Sequence, residues 1–147
     1  MRTNGYQNHF DEEVLAANPL KLVLLLYAGA LDSIASARRF VRLGDIAARS
    51  RAICKAMSVV TELSLSLNHQ TGGELSRSLA DLYSYVETLL IQANTEQCER
   101  PLMEAEAVLS TLLEAWRLCG REDTDGAALA PELVEAPNVY EPVRARA

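Results

Sequence analysis

Helix breakers divide this chain at near-regular intervals, and between them apolar residues recur every three or four positions. That period is the mark of amphipathic helices, not of strands. Asn18-Pro19 pairs a capping side chain with proline at the first helical position, where its missing N–H and fixed φ do no harm. The spacing predicts a first helix from there to about Leu43, with Leu20, Leu24, Tyr27, Leu31, Ile34 and Val41 on one face and Arg38 interrupting it. Leu22, Leu25 and Leu26 add a second stripe, which marks this helix as the most buried. Gly44-Asp45 then supplies a C-terminal glycine and a cap for the next helix.

The second helix carries Ile46, Ile53, Met57, Val60 and Leu67 and is expected to stop at Gly72-Gly73. A third follows from about Glu74 with Leu75, Leu79, Leu82, Val86, Leu89 and Ala93, closing near Asn94. The fourth opens at Pro101 with Leu102, Ala105, Leu109, Leu112, Trp116 and Cys119, and Gly120 ends it. Connections this short lay each helix antiparallel to its predecessor, so the expected fold is all-α, an antiparallel up-down four-helix bundle over residues 18–120. Residues 1–17 form an N-terminal arm with Tyr6, Phe10, Val14 and Leu15 at about helical spacing. Residues 121–147 hold three of the five prolines and no sustained period, so a flexible acidic tail, mostly disordered, is expected. Leu129 to Val134 is its candidate docking piece.

A chain of 147 residues, 49% hydrophobic, is one domain and can build a core without disulfides or metals. Its net charge of −6 argues against nucleic acid and against an anionic membrane surface. The apolar run from Leu20 to Leu31 contains Lys21 and falls short of a membrane span, and the N-terminus lacks the apolar centre of a signal peptide. A cytoplasmic protein is expected. Cys54, Cys98 and Cys119 stand at wide spacing, and His9 and His69 are the only histidines, so neither a disulfide framework nor a metal site is expected. No cofactor is implied.

Catalysis finds no support either. The glycines fall at helix junctions rather than in a phosphate-binding pattern, and no nucleophile elbow surrounds a serine. An enzyme is not expected. His69 leaves one alternative, a histidine phosphotransfer-type bundle, although it reads as a polar residue at the end of the second helix with no basic residue nearer than Arg77.

More informative is an apolar surplus. The second helix also bears Ala52, Ala56, Val59 and Leu63, and the third bears Ala80, Tyr83 and Leu90 beside its main face. Each alone reads as core; together they suggest a groove for another amphipathic helix, flanked by Tyr83 and Tyr85.

Taken in order, Tyr6, Asn18-Pro19-x-Lys21-Leu22, Leu26-Tyr27-x-Gly29-Ala30, Gly72-Gly73-Glu74-Leu75, Leu79-x-x-Leu82-Tyr83-x-Tyr85, Ala93-Asn94 and Glu114-Ala115-Trp116 resemble the flagellar secretion chaperone (FliS) family. The chain departs from that pattern at Ala28, Asn68 and Ser84, where the family usually has Asp. The resemblance runs from Tyr6 to about Trp116 and implies a cytoplasmic four-helix chaperone. Such a protein holds the C-terminal segment of flagellin, prevents its premature polymerisation and delivers it to the export apparatus. The partners implied are flagellin and that apparatus, and a homodimer stays open. Surplus and resemblance together nominate Tyr6, Phe10, Val59, Leu63, Leu67, Leu79, Tyr83, Val86, Leu90 and Asn94 as partner-binding residues.

Overall fold

In the computed structural model, which describes residues 18–122, four helices follow one another: α1 (Pro19–Leu43), α2 (Ile46–Leu65), α3 (His69–Glu96) and α4 (Arg100–Glu122). Each packs on the next and α4 closes the ring against α1, which gives the all-α four-helix bundle that the period predicts. The N-terminal arm and the tail beyond residue 122, with the expectations placed on them, lie outside the described residues.

The first boundaries form as their capping residues require. Asn18 Oδ1 accepts the Lys21 N–H at 3.2 Å. At the far end of α1 the Gly44 N–H donates to the Val41 carbonyl and the Asp45 N–H to that of Phe40, both at 3.1 Å, with Gly44 at φ 69°. This double closure satisfies carbonyls that a helix end leaves without partners. Asp45 then accepts the Ala48 N–H at 3.1 Å and opens α2.

Later boundaries differ from expectation. α2 stops at Leu65, ahead of Gly72-Gly73, because Asn68 already caps the next helix by accepting from the Gln70 and Thr71 N–H groups at 3.1 and 3.2 Å. Asparagine is among the residues best suited to this capping position. α3 therefore begins at His69 and is kinked at Gly73, whose φ of 51° and ψ of −126° suit glycine alone. The buried Ser76 hydroxyl donates to the Asn68 carbonyl at 2.8 Å and ties the kinked turn to the helix that follows. α3 also runs past Asn94 to Glu96. α4 continues through Gly120 rather than ending there; a Cβ at Gly120 would lie 2.7 Å from Leu20 Cδ2, so the glycine marks a close approach of α4 to the first turn of α1.

The core draws on all four helices, with Tyr27 and Ile34, Val60 and Leu63, Tyr83 and Leu90, and Leu102 and Leu109 each no more than 1% exposed. Burying a side chain of this size is worth about 1.5–3 kcal/mol, set against the entropy of ordering it. The backbones of α1 and α2 come closest together, and both helices bury small residues: Ala30, Ser33 and Ala37 on one, Ala48, Ala52 and Ala56 on the other. By length and composition α1 exceeds the short run expected and would suffice to cross a bilayer, yet Val23, Tyr27, Ala30, Ile34 and Ala37 are packed into the core.

Polar side chains tie the opposite end of the bundle. Glu99 accepts from Arg38 Nε at 2.8 Å and Arg42 Nη2 at 2.5 Å, and Arg38 Nη1 also reaches Glu106 at 2.5 Å. Hydrogen bonds from Arg42 and then Arg38 hold the Glu99 carboxyl down at about 2. This explains the charge that interrupts the first apolar stripe. Arg49, only 5% exposed, donates loosely to the Asn94 side-chain and main-chain oxygens, both at 3.4 Å, at the negative end of the α3 dipole.

Candidate partner-binding surface

The structure corrects the expected groove on α2 and α3. Leu63, Leu67, Leu79, Tyr83, Val86 and Leu90 are all buried in the bundle's own core, so in this conformation they offer nothing to a partner. A bundle helix touches two neighbours, and its apolar arc must cover both contacts. The surplus is that second half of the arc. Residues assigned to the main face pay for the rotation: Ile46, Leu75 and Leu82 are 56%, 51% and 37% exposed. Asn94 is half-buried and accepts from Arg49 and from Ser50 Oγ, the latter at 3.0 Å, which joins α2 to α3. Tyr6 and Phe10 lie outside the described residues. Val59 remains, and it lines a surface cleft.

That cleft, of about 200 Å³, runs between α1 and α2 and is lined by Gly29, Asp32, Ser33, Ser36, Ala52, Lys55 and Val59. Ser33 Oγ donates to the Gly29 carbonyl at 2.9 Å, so the hydroxyl is satisfied within its own helix. Gly29 sits mid-helix, where glycine costs about 1 kcal/mol relative to alanine. A Cβ built there meets nothing within 4 Å among the described residues. Among the described residues, neither Asp32 nor Lys55 has a hydrogen-bond or ion-pair partner.

On α1 the apolar line continues toward the N-terminus through Leu25, 49% exposed, and the half-buried Leu22. These belong to the stripe that sequence reading took for a buried one. A helix apolar on two sides had the signal for this surface; what was missing was which side the bundle leaves uncovered. A second exposed line follows α3 through Leu75, Leu82 and Tyr85, the Tyr85 hydroxyl donating to Glu104 on α4.

His69 is exposed at the first position of α3, not at the end of α2 as expected. Cys54 is exposed on α2, while Cys98 and Cys119 are half-buried. Glu87 accepts from Thr61 at 3.2 Å and Glu114 from Arg117 at 3.3 Å.

Comparison with known proteins places the whole bundle in one family. The chain is 33% identical to the flagellar secretion chaperone FliS of Salmonella typhimurium over 73% of its own length and 80% of the relative's. It is 31% identical to FliS of Bacillus subtilis over 78% and 84%, and 33% identical to the flagellar secretion chaperone FliSB of Pseudomonas aeruginosa over 75% and 87%. The family model for the flagellar protein FliS matches residues 2–122, which take in every helix of the bundle, and the chain therefore belongs to the FliS family.

Proposed function

We propose that this protein is a cytoplasmic export chaperone that binds the C-terminal segment of flagellin, keeps it from polymerising and helps deliver it to the flagellar export apparatus. The family match over residues 2–122 carries this reading, since it takes in the whole bundle. The mechanism is occlusion, not catalysis. Flagellin's terminal helices polymerise by burying apolar faces against neighbouring subunits, and covering those faces removes the driving force for assembly. An ordered partner must offset the entropy lost when a disordered client folds on it, so the contact has to be apolar and extended. The line of half-buried Leu22, exposed Leu25 and the Gly29 cleft on α1, and the exposed line of Leu75, Leu82 and Tyr85 on α3, are surfaces of this kind.

Co-expression with the flagellin of the same organism, intact and lacking its C-terminal helices, tests the reading by size-exclusion chromatography with light scattering. A stable complex with the intact protein alone is expected, and the same trace reads whether the free chaperone is a monomer or a homodimer. Equal binding of the truncated flagellin would overturn the assignment.

A further inference from the structure

We propose that Arg49 and Asn94 form a carboxylate site on the seam between α2 and α3, and that Glu141 of the chain's own tail fills it. Residues 123–147 lie beyond the stretch that the family model matches, so this contact is independent of the chaperone reading.

A guanidinium taken out of water needs an opposite charge or a full set of acceptors. Arg49 is only 5% exposed, yet no carboxylate of the described residues pairs with it. Most of its N–H donors have no partner. Nε reaches the Asn94 side-chain oxygen and Nη2 the Asn94 carbonyl, both at 3.4 Å, and Nη1 makes no bond. Arg38, which is less buried, holds carboxylates at 2.8 and 2.5 Å. Because Asn94 Oδ1 already accepts from Arg49 and from Ser50, the Asn94 amide nitrogen has donors to offer as well. Guanidinium and amide together suit the two oxygens of a carboxylate.

The seam is apolar on either side of this pair. Ile46, one turn before Arg49 on α2, and Ile91, one turn before Asn94 on α3, are each 56% exposed. The Ser50–Asn94 and Thr61–Glu87 bonds show that the two helices run antiparallel, so the isoleucines fall on opposite sides of the Arg49–Asn94 contact. A matching segment carries a carboxylate between apolar neighbours. Val139-Tyr140-Glu141-Pro142-Val143 has that order, and Pro142 biases Glu141 toward extended backbone.

Reach selects the tail over the arm. Arg49 and Asn94 lie where α1 and α3 end, whereas residues 1–17 and 123–147 join the bundle at its other end, where Gly120 approaches Leu20. The climb along α1 or α4 is about 30 Å at a rise of ~1.5 Å per residue. The arm's carboxylates, Asp11, Glu12 and Glu13, stand at most seven residues from Asn18 and extend no more than about 25 Å. Glu141 stands 19 residues beyond Glu122 and extends to about 60 Å, enough to climb and to cross to α2 and α3. Glu135 reaches too, but Ala136 follows it where a bulky apolar residue is wanted. An opening this small admits one extended side chain rather than a folded surface, and a tethered carboxylate has the advantage of high effective concentration over one from a second copy or a client.

Solvent exchange of the Arg49 Nε–H, read by NMR on the isotope-labelled full-length chain, tests this. Glu141→Gln is expected to speed exchange by about tenfold or more, the loss of one charge-assisted hydrogen bond, while Glu135→Gln stays within about twofold of wild type. In Arg49→Gln the Tyr140 and Glu141 amides are expected to move to random-coil shifts; if that variant fails to fold, Glu141→Gln still decides, because its substitution lies outside the bundle. Exchange in Glu141→Gln within about twofold of wild type would overturn the site, and equal effects of the two tail variants would replace it with a general attraction for acidic chain. Protection that fades on dilution would assign the carboxylate to a second copy. Protection that arises only on adding monomeric flagellin would assign it to the client, and either result overturns the proposal.

Discussion

The phenolic oxygens of Tyr27 and Tyr83 lie 2.6 Å apart across the diagonal of the bundle, on α1 and α3, whose backbones are not neighbours. Trp116 on α4 donates its indole N–H to the Tyr27 oxygen at 3.1 Å, so three helices meet at one buried hydroxyl. Burial raises both phenol pKa values, with the Tyr83 hydroxyl adding to the rise at Tyr27. Both rings stay neutral at any physiological pH. Because Tyr27 is the hub, the two phenylalanine variants should differ. Tyr27→Phe strands the indole N–H and the Tyr83 hydroxyl together, at about 1–3 kcal/mol each, whereas Tyr83→Phe removes one bond and should cost about 1 kcal/mol. Urea unfolding followed by Trp116 fluorescence reads the order, and equal losses would refute the hub.

Leucines that look alike in sequence should part in stability. Leu63→Ala and Leu90→Ala empty positions at most 1% exposed and should cost about 2–5 kcal/mol. Leu65→Ala, at a position 70% exposed, should stay within about 0.5 kcal/mol. Thermal melts followed by circular dichroism compare them directly.

Glu99 sets a pH dependence whose direction follows from its shift. Its carboxyl titrates at about 2 in the fold against an ordinary 4.5, so the folded state binds the proton more weakly than the unfolded chain. The stabilisation is complete above the ordinary value and fades as pH falls from there toward the folded one. Glu99→Gln should therefore lower the melting midpoint near neutrality, and the gap from wild type should shrink on acidification through about pH 4 to pH 2. A gap independent of pH would show that the ion pairs contribute nothing.

Alanine at two glycines should act in opposite directions. Gly29→Ala adds a Cβ into open space and improves helix propensity, for a gain of about 0.5–1 kcal/mol. Gly73→Ala forces a side chain into a backbone conformation with φ 51° and ψ −126° and should cost about 1–3 kcal/mol. Differential scanning calorimetry resolves both signs.

Bundle architecture was legible because Pro19, Gly44 and the three-four period are local signals that the tertiary structure leaves intact. The α3 start was not, since Gly72-Gly73 announces a break without saying on which side of it the helix begins; Asn68 decides that by capping first. The candidate site was misread for a geometric reason. A heptad count assigns one stripe per helix, but the buried arc on α3 centres near Tyr83 and Leu90 and leaves Leu75 and Leu82 at its margin. A count of apolar positions cannot tell an arc's centre from its edge. Gly29 shows the complementary limit, since a glycine inside a helix signals a close approach or a vacancy, and only coordinates separate the two.

The short link at Gly44-Asp45 bears on the order of folding. Closing so small a loop costs little chain entropy, and it brings together the two helices whose backbones approach most closely. Local contacts of this sort form early, and the N-terminal half of a chain leaves the ribosome first. The α1–α2 hairpin is then the expected nucleus, and the cleft, built from these helices alone, takes shape before α3 and α4 are in place. Ala47→Gly and Ala107→Gly, at exposed sites on α2 and α4, probe this by stopped-flow kinetics. The first should slow folding and the second should chiefly speed unfolding, so that the α1–α2 pair is settled while the rest of the chain is still being synthesised.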